Sequence, residues 1–220
     1  MSYANGPKIV TDGLACYLDA ANRKSYPGTG DTVYDLSGNG RNGTRAGTYK
    51  PSWNSDGYFT FTNGTNGNNY TRIDTSNPAT TDLTVEVVYR TTTNGGTVLR
   101  QYDDDFHIRI GRVSAGNAYN DYMLTPSTYI SLNTWVYNAI TWYNGITLKF
   151  YRNAINVVSG NRSSQDTDGI VASTVRIGTR NDAYSEHFDG DIALYRFYTK
   201  ALSPDEILQN YNARKGRYGL

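Results

Sequence analysis

The chain has 220 residues, 38% of them hydrophobic and 19% charged, with 20 Tyr, 22 Gly, one Cys and a net charge of +1. That length suits one domain with a real core, and the near-neutral balance argues against a nucleic-acid binder, which carries a basic excess. No stretch approaches the ~20 apolar residues of a membrane span, and a lone cysteine excludes a disulfide framework. Tyr gives strands large half-polar surfaces, while Gly and Asn supply tight turns, so the composition suits a β-protein.

Met1–Pro7 has no apolar core and does not read as a secretory signal. Without one, the Asn-x-Ser/Thr sites at Asn42, Asn63, Asn69 and Asn161 read as by-products of polar loops. Leu14–Asp19 is the first expected strand, with Cys16 as a small buried hydrophobe on it. The segment Ala21–Asn54, rich in Gly, Asn, Ser and Thr, reads as a linker between two domains or as a long ordered loop over a sandwich. The segment before it is too short for a core of its own, which favours the loop and a single domain over residues 1–220.

Strands are then expected at Tyr58–Thr62, Tyr70–Asp74 and Leu83–Arg90, the last with Leu83, Val85, Val87 and Tyr89 on one face. Thr97–Tyr102 and Phe106–Arg112 read as a pair joined by the acidic turn Asp103–Asp105. Tyr119–Leu124 follows. Trp135–Tyr143 and Ile146–Arg152 flank Asn144-Gly145, a type I′ hairpin signal because that turn needs positive φ at both central positions. Ile155–Val158, Thr174–Gly178 and Asp191–Tyr198 complete the set. In the closing strand Ile192, Leu194, Arg196 and Tyr198 are expected on one face and Ala193, Tyr195 and Phe197 on the other. Ser203 as N-cap, Pro204 at the first helical position and Glu206 in a capping box predict a helix. So many short strands at regular spacing indicate an all-β sandwich or barrel.

Several motifs carry a resemblance. Gly13-Leu-Ala-Cys-Tyr-Leu-Asp-Ala-Ala-Asn22, Ser25-Tyr-Pro-Gly-Thr-Gly30 and Asp35-Leu-Ser-Gly-Asn-Gly40 resemble the opening of LamG-like domains of the concanavalin A-like lectin/glucanase superfamily. Gly57-Tyr-Phe-Thr-Phe61, the Trp135–Asn153 hairpin, Arg176-Ile-Gly178 and the closing strand with its helix resemble later signatures, in order. The resemblance implies a two-sheet antiparallel jelly-roll sandwich with a short C-terminal helix. The opening taken together with Ile207–Leu220 is similar to virion proteins of tailed bacteriophages.

Chemistry is sparse. A glycosidase needs two carboxylates about 5–5.5 Å apart for retention, or wider for inversion. Hydrolases of the superfamily place them on one strand as a Glu-x-Asp-x-Glu-like pattern, and the matching strand here holds Glu86 alone, expected to be a solvent-facing charge. Asp103, Asp104 and Asp105 sit in a turn where acids are ordinarily solvated. His107 reads as a surface or half-buried strand residue, and no nucleophile turn accompanies it or His187. An enzyme is therefore not expected. In relatives an Asp often follows the Ile of the closing strand and can serve a metal. Here Ala193 stands there, leaving Asp189 and Asp191 as candidate Ca²⁺ ligands. The candidate sugar-binding rim is Tyr102, Asp104, Arg180, Asn181, Asp182 and Tyr184, since tyrosines stack on sugar faces and polar groups satisfy hydroxyls.

The resemblance thus implies a non-enzymatic virion surface protein made in the host cytoplasm, a capsid decoration or a tail or fibre adhesion module. Its expected partners are capsid or tail subunits, further copies of itself and host polysaccharide. A glycan-degrading enzyme or free lectin of the same fold is the alternative.

Overall fold

The computed structural model describes residues 8–47, 49–62, 71–101, 106–110, 112–115, 122–125, 131–162, 169–179 and 187–220. Over these the strands are β1 (Leu14–Asp19), β2 (Thr32–Val33), β3 (Gly43–Gly47), β4 (Ser52–Asn54), β5 (Tyr58–Phe61) and β6 (Thr71–Asn77). They continue as β7 (Leu83–Thr91), β8 (Thr97–Gln101), β9 (Phe106–Arg109), β10 (Arg112–Ala115) and β11 (Tyr122–Leu124). The last are β12 (Val136–Tyr143), β13 (Thr147–Arg152), β14 (Ile155–Asn161), β15 (Ser173–Ile177) and β16 (Gly190–Tyr198), before helices α1 (Pro204–Asn212) and α2 (Lys215–Tyr218).

The strands form two antiparallel sheets. One runs β14-β13-β12-β7-β16-β5-β4, with β1 also on β16; the other runs β11-β10-β9-β8-β15-β6-β3-β2. Between them lies an apolar interior that includes Val85, Val87, Ile108, Ile140, Trp142, Val175 and Phe197, all buried. Phe188 joins its aromatic part edge-on to Tyr89 at 5.7 Å and to Phe61 at 6.1 Å. Cys16 is fully buried here, and burial with the nearby Asp35 carboxylate pushes its thiol up to about 12. It is a packing residue.

The described residues of Ala21–Asn54 hold strands where a loop was expected. β2 and β3 extend the second sheet and β4 pairs with β5. These strands are two to five residues long and largely polar, so no alternation announces them. Two side chains organise the stretch. Asp35 accepts the N–H groups of Tyr17 and Ser37 (both 2.9 Å) and of Arg41 (3.0 Å), and the Ser37 hydroxyl (2.7 Å). Arg45 donates to the carbonyls of Gly30 (2.7 Å) and Pro51 (2.6 and 2.9 Å) and to the Tyr26 hydroxyl (2.8 Å). The conspicuous Asp35-Leu-Ser-Gly motif is therefore an acceptor cage for a turn.

The Asn144-Gly145 hairpin forms as expected, with φ of 52° and 63°. The capping box forms too: the Glu206 N–H donates to Ser203 Oγ (3.3 Å) and the Ser203 N–H to Glu206 Oε2 (2.8 Å). The alternation of β16 needs correcting. Its register against β7 slips between Ile192 and Leu194, so Ala193 is an extra residue. Ile192 consequently joins Tyr195 and Phe197 in the interior, while Ala193 turns outward beside Leu194 and Tyr198. That outer face is covered. Ile207, Tyr211, Tyr218 and Leu220 pack over it with Tyr137, Leu194 and Leu202. Among the described residues no helix is long and apolar enough to cross a membrane.

Candidate functional site

The six rim candidates Tyr102, Asp104, Arg180, Asn181, Asp182 and Tyr184 lie outside the described residues. Their anchors are described. β8 and β15 pair antiparallel, Gln101 opposite Val175 and Leu99 opposite Ile177. Gln101, which leads to Tyr102, and Thr179, which leads to Arg180, thus leave the pair at opposite ends. The second anchor is a tight neck. The Phe188 N–H donates to the Gly178 carbonyl (3.0 Å), and Thr179 Oγ1 lies 2.7 Å from His187 Nδ1. Gly178 has φ +92°, and a Cβ there would stand 2.2 Å from the Phe61 ring.

Asp191 lies on β16, its carboxylate accepting the Arg90 Nε–H and the Thr60 hydroxyl, both at 2.6 Å. Arg90 is held in turn 5.0 Å over the rings of both Tyr58 and Trp135. A calcium ion would have to displace this arginine, and it needs about six oxygens or more. The Asp189 carbonyl accepts from the Thr92 N–H and the Thr91 hydroxyl, each at 3.1 Å. No group of three or more His, Cys, Asp or Glu gathers among the described residues.

Glu86 is not solvent-facing. It is fully buried on the outer face of β7 beneath α1, and its Oε2 meets Arg196 Nη1 at 2.7 Å. Its Oε1 accepts from the Tyr137 hydroxyl and from Asn210 Nδ2, both at 2.7 Å. Burial opposes the charge on Arg196, but Glu86 and the surrounding tyrosines hold the guanidinium protonated, and it lies 4.7 Å over the Tyr17 ring. Burial, then the Glu86 charge, raises the Tyr137 hydroxyl well above its ordinary range. Asp19 extends the buried polar patch, accepting from the Tyr17 hydroxyl (2.7 Å) and Arg217 (3.2 Å). A carboxylate so engaged has no path to a substrate.

The same sheet face opens where the helices stop. There a groove of about 260 Å³ runs between the β12–β13 hairpin and the entry to α1. Thr141 and Tyr143 of β12 stand opposite Lys149 and Thr147 of β13. Tyr151 and Leu202 are buried at its base, Ser203 and Pro204 edge it, and Tyr143 is 59% exposed. The strand alternation puts these side chains on one face, and the I′ turn brings the two strands into register. An exposed ring beside hydroxyls and one ammonium can hold a flat, polar molecule. Sequence reasoning missed this place. The hairpin was legible, but the wall comes from residues 201–204, which only the fold delivers.

A family model described as the concanavalin A-like lectin/glucanases superfamily, Laminin_G_3, matches residues 54–208. The chain belongs to that family. The family fold is also shared by solved structures of low sequence identity. One is the binding domain of botulinum neurotoxin DC in complex with rat synaptotagmin II (TM-score 0.69, 12% identity, 93% of this chain and 52% of that one). Another concerns cell entry of botulinum neurotoxin type C through interaction with two ganglioside molecules (TM-score 0.69, 13% identity, 93% and 52%). A third is the neurotoxin DC binding domain in complex with SialylT (TM-score 0.67, 13% identity, 92% and 52%). The chain spans about half the length of each. No curated protein matches it in sequence.

Proposed function

We propose that this chain is a non-enzymatic surface protein of a tailed-bacteriophage virion, one jelly-roll domain over residues 1–220 that contacts host polysaccharide while seated on capsid or tail subunits. The observation that carries the reading is the contrast on one sheet face. The strand carboxylate that a hydrolase of this fold would use, Glu86, is locked to Arg196 at 2.7 Å with no exposure, whereas an open groove with an exposed tyrosine lies beside it. Such a face can hold a ligand without bringing a carboxylate to it, and no Asp or Glu among the described residues lines the groove. The opening and closing motifs support the virion setting, and the ganglioside- and SialylT-associated neighbours support a sugar partner.

Cryo-EM of the particle tests the setting: regular copies on the head fit a decoration protein, copies on the tail an adhesion module, and no copies on either would end the virion reading. A glycan array with the purified chain tests the partner. Sugar binding with no copies on particles would make it a free lectin. Release of shortened glycan during incubation would make it an enzyme.

A further inference from the structure

Four polar side chains converge on the groove without a partner among the described residues. The Lys149 ammonium makes no ion pair, and the side chains of Thr141, Tyr143 and Tyr151 make no hydrogen bond there. On the same face of the sheet Arg90 is matched to Asp191, and Arg196 Nη1 and the Tyr137 hydroxyl to Glu86, while just past β16 Lys200 meets Asp12 and Glu206. A half-buried ammonium beside an aromatic ring, left uncompensated, favours an anion. Around Lys149 the register places only neutral side chains, Thr141 on one strand and Ser159 on the other.

We propose that the groove binds a single pyranose ring bearing one negative charge, a carboxylate or a sulfate ester, at the end or within the chain of a surface polysaccharide. This deepens the glycan reading above and rests on it. Tyr143 offers its ring as the stacking platform, Lys149 meets the charge, and Thr141 and Tyr151 take ring hydroxyls. The size decides for one ring. About 260 Å³ lies below the ~300–1,000 Å³ of pockets for larger ligands, so neighbouring sugars run out into solvent. A point charge on a flexible stem suits either anion, because a single ammonium lacks the fork that selects a planar carboxylate.

The test compares a uronate-bearing oligosaccharide, its carboxyl-reduced counterpart and its sulfate-ester analogue by NMR titration of the purified chain. The expected result is at least tenfold tighter binding of one or both anionic forms, weakening as salt rises, with shifts centred on Tyr143 and Lys149. Lys149→Met is expected to erase the preference while leaving weak binding of the reduced form, Lys149→Arg to restore most of it, and Tyr143→Ala to weaken all three. All three variants change accessible side chains, and unchanged melting curves serve as the check on folding. Equal binding of charged and reduced forms would overturn the inference while leaving the glycan reading in place. So would tight anionic binding that Lys149→Met leaves untouched, since the site would then lie elsewhere. No binding of any of the three overturns the inference, and the glycan array decides separately whether another sugar is the partner.

Discussion

The outer face of the first sheet has two halves, made by the same alternation and used in opposite ways. Under α1 and α2, Glu86, Arg196, Tyr137 and Asn210 are sealed from water, and Glu86 accepts from the other three, although Arg196 Nε and Nη2 meet no acceptor among the described residues. Across β12 and β13, Tyr143 and Lys149 stand on the same face and remain open. Period-two patterning decides which way a side chain points, and a distant segment decides whether that side is wet. The cover over Glu86 includes Asn210, 124 positions away.

The largest effect is expected from breaking the sealed half. Arg196→Met leaves the Glu86 charge buried without its partner and should cost about 3–5 kcal/mol in denaturant unfolding. Adding Glu86→Gln, which keeps the acceptor for Tyr137 and Asn210, should recover a good part of that loss. A double variant as unstable as the single would show that packing, not charge, holds this half together.

Alkali should strain the sealed half next. Tyr137 and Tyr198 are raised by burial and then by Glu86, and burial takes the Cys16 thiol in the core from 9.0 to about 12. Groups with raised folded pKa bind protons more tightly in the native state, so their contribution is complete below the unfolded values, near 9 and 10. It is lost as pH climbs past them. Cys16 alone accounts for roughly 2–3 kcal/mol by pH 11, read as a falling urea midpoint. A midpoint flat from pH 8 to 11 would contradict this.

Ser203→Ala acts on the border between the halves, removing the side-chain cap of α1 at the edge of the groove. It should cost ~1 kcal/mol. Tyr143→Ala, in the open half, should move stability by less than about 0.5 kcal/mol while weakening sugar binding. A marked loss of Tm would mean that Tyr143 is a packing residue after all. Chelation should leave the Tm in place, because Arg90 and Thr60 already engage the Asp191 carboxylate.

Long alternating strands were readable. Leu83, Val85, Val87 and Tyr89 point inward as their spacing says, and the Asn144-Gly145 turn and the Ser203 cap form with the geometry their residue types require. What escaped was set by distant partners. Polar β2 and β3 become strands because β6 offers an edge, and the extra residue at Ala193 changes no local pattern while turning Gly190–Ile192 to the opposite face. Glu86 and Arg196 were visible as opposite charges, but only the pairing of β7 with β16 makes them opposite neighbours. The groove was half legible, as a Tyr and a Lys on a hairpin whose second wall lies more than fifty residues further on. The rim candidates Tyr102 to Tyr184 rest on sequence alone.

The position of β16 also dictates when this protein can fold. It is a central strand, flanked by β7 on one side and by β5 and then β1 on the other. Until residues 190–198 have been synthesised, β1 has no partner strand and β5 only the short β4, while β7 can pair only with β12. Contacts of such sequence separation form slowly, because loop-closure entropy is spent before they give anything back. The first sheet is therefore expected to assemble only once β16 has been made, with unpaired strand edges exposed to aggregation in the interval.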